Sequence, residues 1–190
     1  MIDTNVAELQ KETTKYSTTG KAIAIKREYS DGSYSDTFFK YSDEDGENSK
    51  VEATATCIYD SLQRKVSETL LIDHKSGNPS ISNIPSITIQ YEYRKKEKEN
   101  MLDEVNSVKI TCQSDYGCCI TQITYSVSCT CAIWQEVLLD GVLIDREMIA
   151  VNSKSHRTVT SKLMGYFTED VKMTSRGLEV IVTSSYKVWS

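Results

Sequence analysis

From Gly20 onwards, apolar and polar residues alternate with a period of two. Ile23, Ile25 and Tyr29 share one phase, and Asp31-Gly32 supplies a tight-turn pair before the chain returns through Tyr34 to Tyr41. Val51, Ala53, Ala55, Cys57 and Tyr59 repeat the pattern after an acidic turn at Asp43-Glu44-Asp45-Gly46. Val66 to Ile72 forms the next strand candidate, closed by Ser76-Gly77-Asn78-Pro79. Ile87, Ile89, Tyr91 and Tyr93 then alternate with Ser86, Thr88, Gln90 and Glu92.

The strongest pattern runs from Cys119 to Leu139. Cys119, Ile123, Tyr125, Val127, Cys129, Cys131, Ile133, Val137 and Leu139 occupy one phase, with Gln122, Thr124, Ser126, Ser128, Thr130 and Glu136 in the other. A period of two held this long excludes a helix, and it exceeds the usual strand of roughly 3 to 10 residues. The spacing predicts one long bent strand, or two strands joined by a bulge. Asp140-Gly141 turns the chain into Val142 to Val151, and Arg176-Gly177 precedes a last strand through Leu178, Val180, Val182, Tyr186 and Val188.

Two segments depart from this pattern. Arg94 to Val105 is charge-rich and reads as a solvated loop or short helix, and Ser161 to Val171 is ambiguous. Residues 1–19 read as an N-terminal arm, packed across the domain or given to a neighbouring subunit, with residues 20–190 as one domain. Nine or ten strands with short turns predict an all-β, antiparallel two-sheet sandwich with a jelly-roll-like arrangement.

Composition narrows the function. The 190 residues suffice to bury a core, and 39% hydrophobic with 26% charged residues is a globular balance. A net charge of −5 argues against nucleic acid as a partner, because phosphate binding needs a basic face. No stretch approaches the roughly 20 apolar residues of a membrane-spanning helix. The first ten residues do not form a secretory signal, and there is no Asn-x-Ser/Thr sequon, so cytoplasmic synthesis is the expectation.

The six cysteines are Cys57, Cys112, Cys118, Cys119, Cys129 and Cys131. Their spacing does not suit zinc. Cys118 and Cys119 point to opposite faces of a strand, and Cys129 and Cys131 lie roughly 6.6 Å apart along one. All six are candidates for disulfides or cross-links. Cys112 and Cys119 flank the turn at Gln113 to Gly117, and Cys57 could meet Cys129 or Cys131. The alternative is buried thiols, which suits Cys129 and Cys131 in the apolar phase. Cys118, in the other phase beside a turn, is the best candidate for reaching outward.

Catalytic chemistry finds little support. His74 and His156 both sit in polar, turn-like settings, and the acidic run Asp43 to Asn48 lacks the ligand spacing of a calcium loop. There is no phosphate-cradling glycine loop, Gly-x-Ser-x-Gly or His-Glu-x-x-His motif. The sequence therefore predicts a non-enzymatic structural protein, without cofactor or metal, that assembles with itself into a fibre, coat, shell or crystal. Two alternatives stay open: a β-sandwich module binding protein or carbohydrate through its loops, and a long-strand pore-forming toxin.

Overall fold

The computed structural model describes residues 7–43, 49–73, 86–94, 105–114, 117–129, 132–150, 155–157, 167–174 and 177–184. Regular structure among them is entirely β-strand. The first strands are β1 (Leu9–Tyr16), β2 (Ala22–Tyr29), β3 (Tyr34–Tyr41), β4 (Val51–Tyr59), β5 (Lys65–Ile72) and β6 (Ser86–Tyr93). They are followed by β7 (Val105–Ser114), β8 (Gly117–Cys129), β9 (Ala132–Leu139), β10 (Val142–Ala150), β11 (Ser155–Arg157), β12 (Phe167–Thr174) and β13 (Gly177–Ser184).

The protein is all-β and antiparallel. Strands β1 to β10 form one sheet in which every strand lies beside its sequence neighbour, and β11-β12-β13 form a second, smaller sheet. A jelly roll would instead pair strands distant in sequence. Periodicity assigns a residue to a face of its strand, but it says nothing about which strands pair.

The run from Cys119 to Leu139 is neither one bent strand nor two strands joined end to end. It is an antiparallel hairpin of β8 and β9, in which Ile123 pairs with Val137 and Tyr125 with Gln135. Each pair joins two odd-numbered residues. The phase of the alternation therefore passes through the turn unchanged, and the sequence reads as continuous.

Within the expected arm, β1 pairs with β2 from Leu9↔Tyr29 to Tyr16↔Ala22. Of the segment from Arg94 to Val105, Val105 opens β7, while residues 95–104 lie outside the described residues. Phe167 to Val171 belongs to β12, while 161–166 lie outside the described residues.

The chain divides into two compact units. One comprises Met1–Thr88, Gln113–Gly117 and Val188–Ser190, and the other comprises Ile89–Cys112 and Cys118–Lys187. In the first, Ala53, Ala55 and Cys57 of β4 are buried on one face, beside Leu70 and Ile72 of β5. The opposite face carries hydroxyls. Thr56 stands between Thr37 and Thr69, with Thr37 and Thr56 Oγ1 atoms 3.2 Å apart and those of Thr69 and Thr88 3.5 Å apart.

The second unit buries Ile89, Val108, Ile110, Ile123, Tyr125, Ile133 and Val137 from the large sheet. Val171, Leu178, Val180 and Val182 are buried from the small one. Each such aliphatic or aromatic side chain contributes roughly 1.5–3 kcal/mol by leaving water. Among the described residues of the β8–β9 hairpin, Gln135 and Thr121 are buried polar side chains.

Candidate functional site

The cysteines occupy three settings. Cys57 lies on the buried face of β4, directly across from Asp36 on β3 and Glu68 on β5. Glu68 is itself buried and is held by a short ion pair with Lys65. Tyr59, two residues along the same face, stacks on Tyr34 with ring centroids 4.4 Å apart. Burial pushes the Cys57 thiol up to about 11, which the Lys65 ammonium only partly offsets, and burial likewise pushes Tyr59 up to about 12.

The second setting joins Cys112 on β7 to Cys119 on β8, neighbouring strands as the intervening turn implied. Burial pushes the Cys112 thiol up to about 11, helped by Cys119 and Cys118. Burial also raises Cys119, with the Asp140 carboxylate adding to it. Cys57, Cys112, Cys118 and Cys119 all carry free thiols, so no disulfide joins Cys112 to Cys119 in this structure.

Burial thus favours the protonated thiol of Cys57 and Cys112 at neutral pH, as it does for any cysteine packed in a core. Cys118 forms the third setting: it is exposed, as its phase predicted.

Cys129 ends β8, paired with Ala132, and its side chain lies outside the described residues, as does the whole of Cys131. His74 and residues 44–48 of the acidic run also lie outside, and His156 is placed only as a backbone position on β11. Among the described residues no cluster of three or more His, Cys, Asp or Glu could hold a metal ion. No helix among them is long and apolar enough to cross a membrane.

The other feature with functional content is the pair of edges of the large sheet. β1 and β10 are its terminal strands, and among the described residues each is hydrogen-bonded to one neighbouring strand. An edge strand presents a row of backbone N–H and C=O groups to any incoming strand.

β1 is exposed along nearly its whole length and is polar between its exposed ends Leu9 and Tyr16, with Lys11 and Lys15 on one face and Glu12 and Thr14 on the other. Its link to β2 is charged: Glu12 lies 2.8 Å from Arg27, and Lys11 lies 3.7 Å from Glu28. β10 is different. Val142 is 66% exposed, Leu143 52%, Ile144 45% and Met148 58%, beside the half-exposed Trp134 of β9. Arg146 projects among them, 3.1 Å from Glu136 and 5.1 Å from the Trp134 ring centroid.

Alternation alone did not reveal these edges. The available signal was charge in mid-strand, at Lys11-Glu12 and again at Asp145-Arg146-Glu147, which is how edge strands resist unwanted pairing.

No known protein family, characterised protein or solved structure matches this chain.

Proposed function

We propose that the protein is a non-enzymatic structural protein that assembles with itself through β-strand contacts into a fibre, coat, shell or crystal. The observation that carries this reading is the ten-stranded sheet ending on two edge strands, one of which, β10, exposes Val142, Leu143, Ile144 and Met148. Strand addition would satisfy backbone groups on both edges and remove those apolar side chains from water. The high thiol pKa values of Cys57 and Cys112 support a core role for both rather than a catalytic one. The exposed Cys118 supports a cross-link between neighbouring copies.

The reading includes a sandwich-like arrangement, supported by one-sided burial on β4, β8 and β9, because a sheet with one apolar face requires a covering layer. Light scattering and negative-stain microscopy, on one sample with and without reductant, test the assembly. The expected result is ordered oligomers or filaments whose mass rises with concentration, with reductant lowering their durability. A monomer at high concentration under oxidising conditions overturns the proposal and leaves a loop-binding module as the better reading.

A further inference from the structure

The two edges are complementary to each other and not to themselves. We propose that copies join head to tail, β10 of one copy pairing antiparallel with β1 of the next, with Arg146 opposite Glu12. This rests on the assembly reading and gives its contact a register.

That register sets Glu147 against Lys11, Arg146 against Glu12 and Asp145 against Thr13. Opposite charges directly across an antiparallel pair are favourable, and like charges are not. Within each copy these residues already have cross-strand partners of the right sign. Glu12 is paired with Arg27, and Arg146 with Glu136. The joined sheet would carry a row Arg27, Glu12, Arg146, Glu136 across four strands on one face, with the sign alternating at every step. The other face would carry Glu28, Lys11 and Glu147 in the same alternating sense. Lys15 sits diagonally across from Asp145 on that face, within reach of a long side chain.

The faces match as well as the charges. Register places Thr13 of β1 in line, strand by strand, with Lys26, Asp36 and Cys57, and Lys11 in line with Glu28, Tyr34 and Tyr59 on the same face. Glu147 and Asp145 of β10 are in line with Gln135 and Val137, which are buried. Residues opposed in an antiparallel pair project to the same side, so this register continues inner face with inner face.

Self-pairing offers no equivalent. Two copies of β10 related by a two-fold axis oppose residues of equal parity. Centred on Arg146, that pairing sets Arg146 against Arg146 and Asp145 against Glu147; centred on Asp145, it sets Asp145 against Asp145. Two copies of β1 likewise set Glu12 against Glu12, or Lys11 against Lys15. A heterologous contact of this kind repeats, and gives a ring or a filament.

The regular pairing is short. β10 has a register shift between Leu143 and Asp145, and β1 has one between Leu9 and Lys11. The contact therefore centres on Lys11–Thr13 against Asp145–Glu147, where charge decides its strength and salt weakens it.

The test uses the full chain under reductant, so that thiols play no part, with mass read by light scattering. Glu12→Lys and Arg146→Glu are each expected to weaken association about tenfold, since each turns an attractive pair into a repulsive one. An equimolar mixture of the two variants is expected to recover assembly, because each edge then meets an opposite charge on the other variant. Thr13→Asp is the control for folding. The new carboxylate lies opposite Lys26 within the chain and favours the β1–β2 hairpin, yet it opposes Asp145 of the next copy. It should lower association with no loss of stability.

Variants that assemble like the wild type overturn the register while leaving the assembly reading intact. Recovery in the Glu12→Lys/Arg146→Glu double variant, without recovery in the mixture, overturns it in favour of pairing within one chain. A wild type that is monomeric under reductant overturns the register, and one that is monomeric without reductant as well defeats the assembly reading itself.

Discussion

The Tyr91 hydroxyl stands 3.1 Å from both the backbone nitrogen and the backbone oxygen of Val182, donating to the carbonyl and accepting from the N–H. The N–H and C=O of a strand residue point the same way, so those of Val182 face the side of β13 away from β12. One side chain of β6 thus satisfies two groups on the edge of the small sheet, and Tyr91 itself is buried. Buried backbone groups left without a partner cost more than the hydrogen bonds they replace. Tyr91→Phe keeps the ring and removes the hydroxyl. We expect a loss of about 1–3 kcal/mol in denaturant unfolding, with faster amide exchange at Val182. Unchanged exchange at Val182 would show that water satisfies those groups as well as the phenol does.

The turn that launches β10 is defined by conformation. Asp140 and Gly141 both have positive φ, 48° and 83°. Two consecutive residues in the left-handed region are the signature of the turn whose twist suits a two-residue hairpin. Asp140 also reaches sideways: its N–H donates to the Ile120 carbonyl, and its Oδ1 accepts from the Ile120 N–H, each at 2.8 Å. A Cβ on Gly141 would meet no atom within 4 Å, so any cost of substitution comes from backbone strain alone. Gly141→Ala should lose about 1–2 kcal/mol, and Gly141→Asn should lose less. Thermal unfolding of the two variants separates strain from packing, because steric crowding would rank them in the opposite order.

Alkaline pH should weaken the fold within a defined window. Cys57 and Cys112 ordinarily ionise near 9.0 and Tyr59 near 10.0, whereas burial raises them to about 11, 11 and 12 in the folded chain. Between those limits the unfolded chain has released protons that the folded one retains. The contribution of these three groups to stability is therefore constant below about pH 9 and falls as pH rises towards 12. Each thiol should account for about 1–2 kcal/mol of that fall. Denaturant midpoints measured from pH 7 to 11 check it. A Cys57→Ala/Cys112→Ala variant should start less stable and show a shallower slope. A slope unchanged by both substitutions would assign the alkaline loss to other groups.

Much of this fold is legible because alternation is a local property. The turns at Asp31-Gly32 and Asp140-Gly141, the burial of Ala53, Ala55 and Cys57, and the outward position of Cys118 all follow from phase and turn chemistry. Two kinds of information were not local. The β8–β9 hairpin hides its turn because Ile123 and Val137 share parity, and no Gly, Pro, Asn or Asp marks residues 129–131. β1 hides because an edge strand exposed along most of its length buries nothing on either face, so Leu9 to Tyr16 carries no apolar stripe. Its place in the sheet is the antiparallel ladder to β2, where Glu12 meets Arg27 and Lys11 meets Glu28, pairings that become meaningful only once β2 is set beside it.

The thiols should report the same division between core and surface. Cys118 is exposed, whereas Cys57 and Cys112 are each only 4% exposed. Alkylation needs both access and thiolate, and the two buried thiols lack both at neutral pH. Brief treatment of the native protein with iodoacetamide, followed by peptide mapping, should place label on Cys118 and leave Cys57 and Cys112 unlabelled until denaturant is added. Cys112 and Cys119 make the sharper comparison, because they lie on neighbouring strands yet differ in burial. Cys119 should label more slowly than Cys118 and well before Cys112. Equal labelling of Cys112 and Cys118 in the native protein would mean that the end of β7 opens on the timescale of the reaction. The free energy of that opening would then follow from the ratio of native to denatured labelling rates.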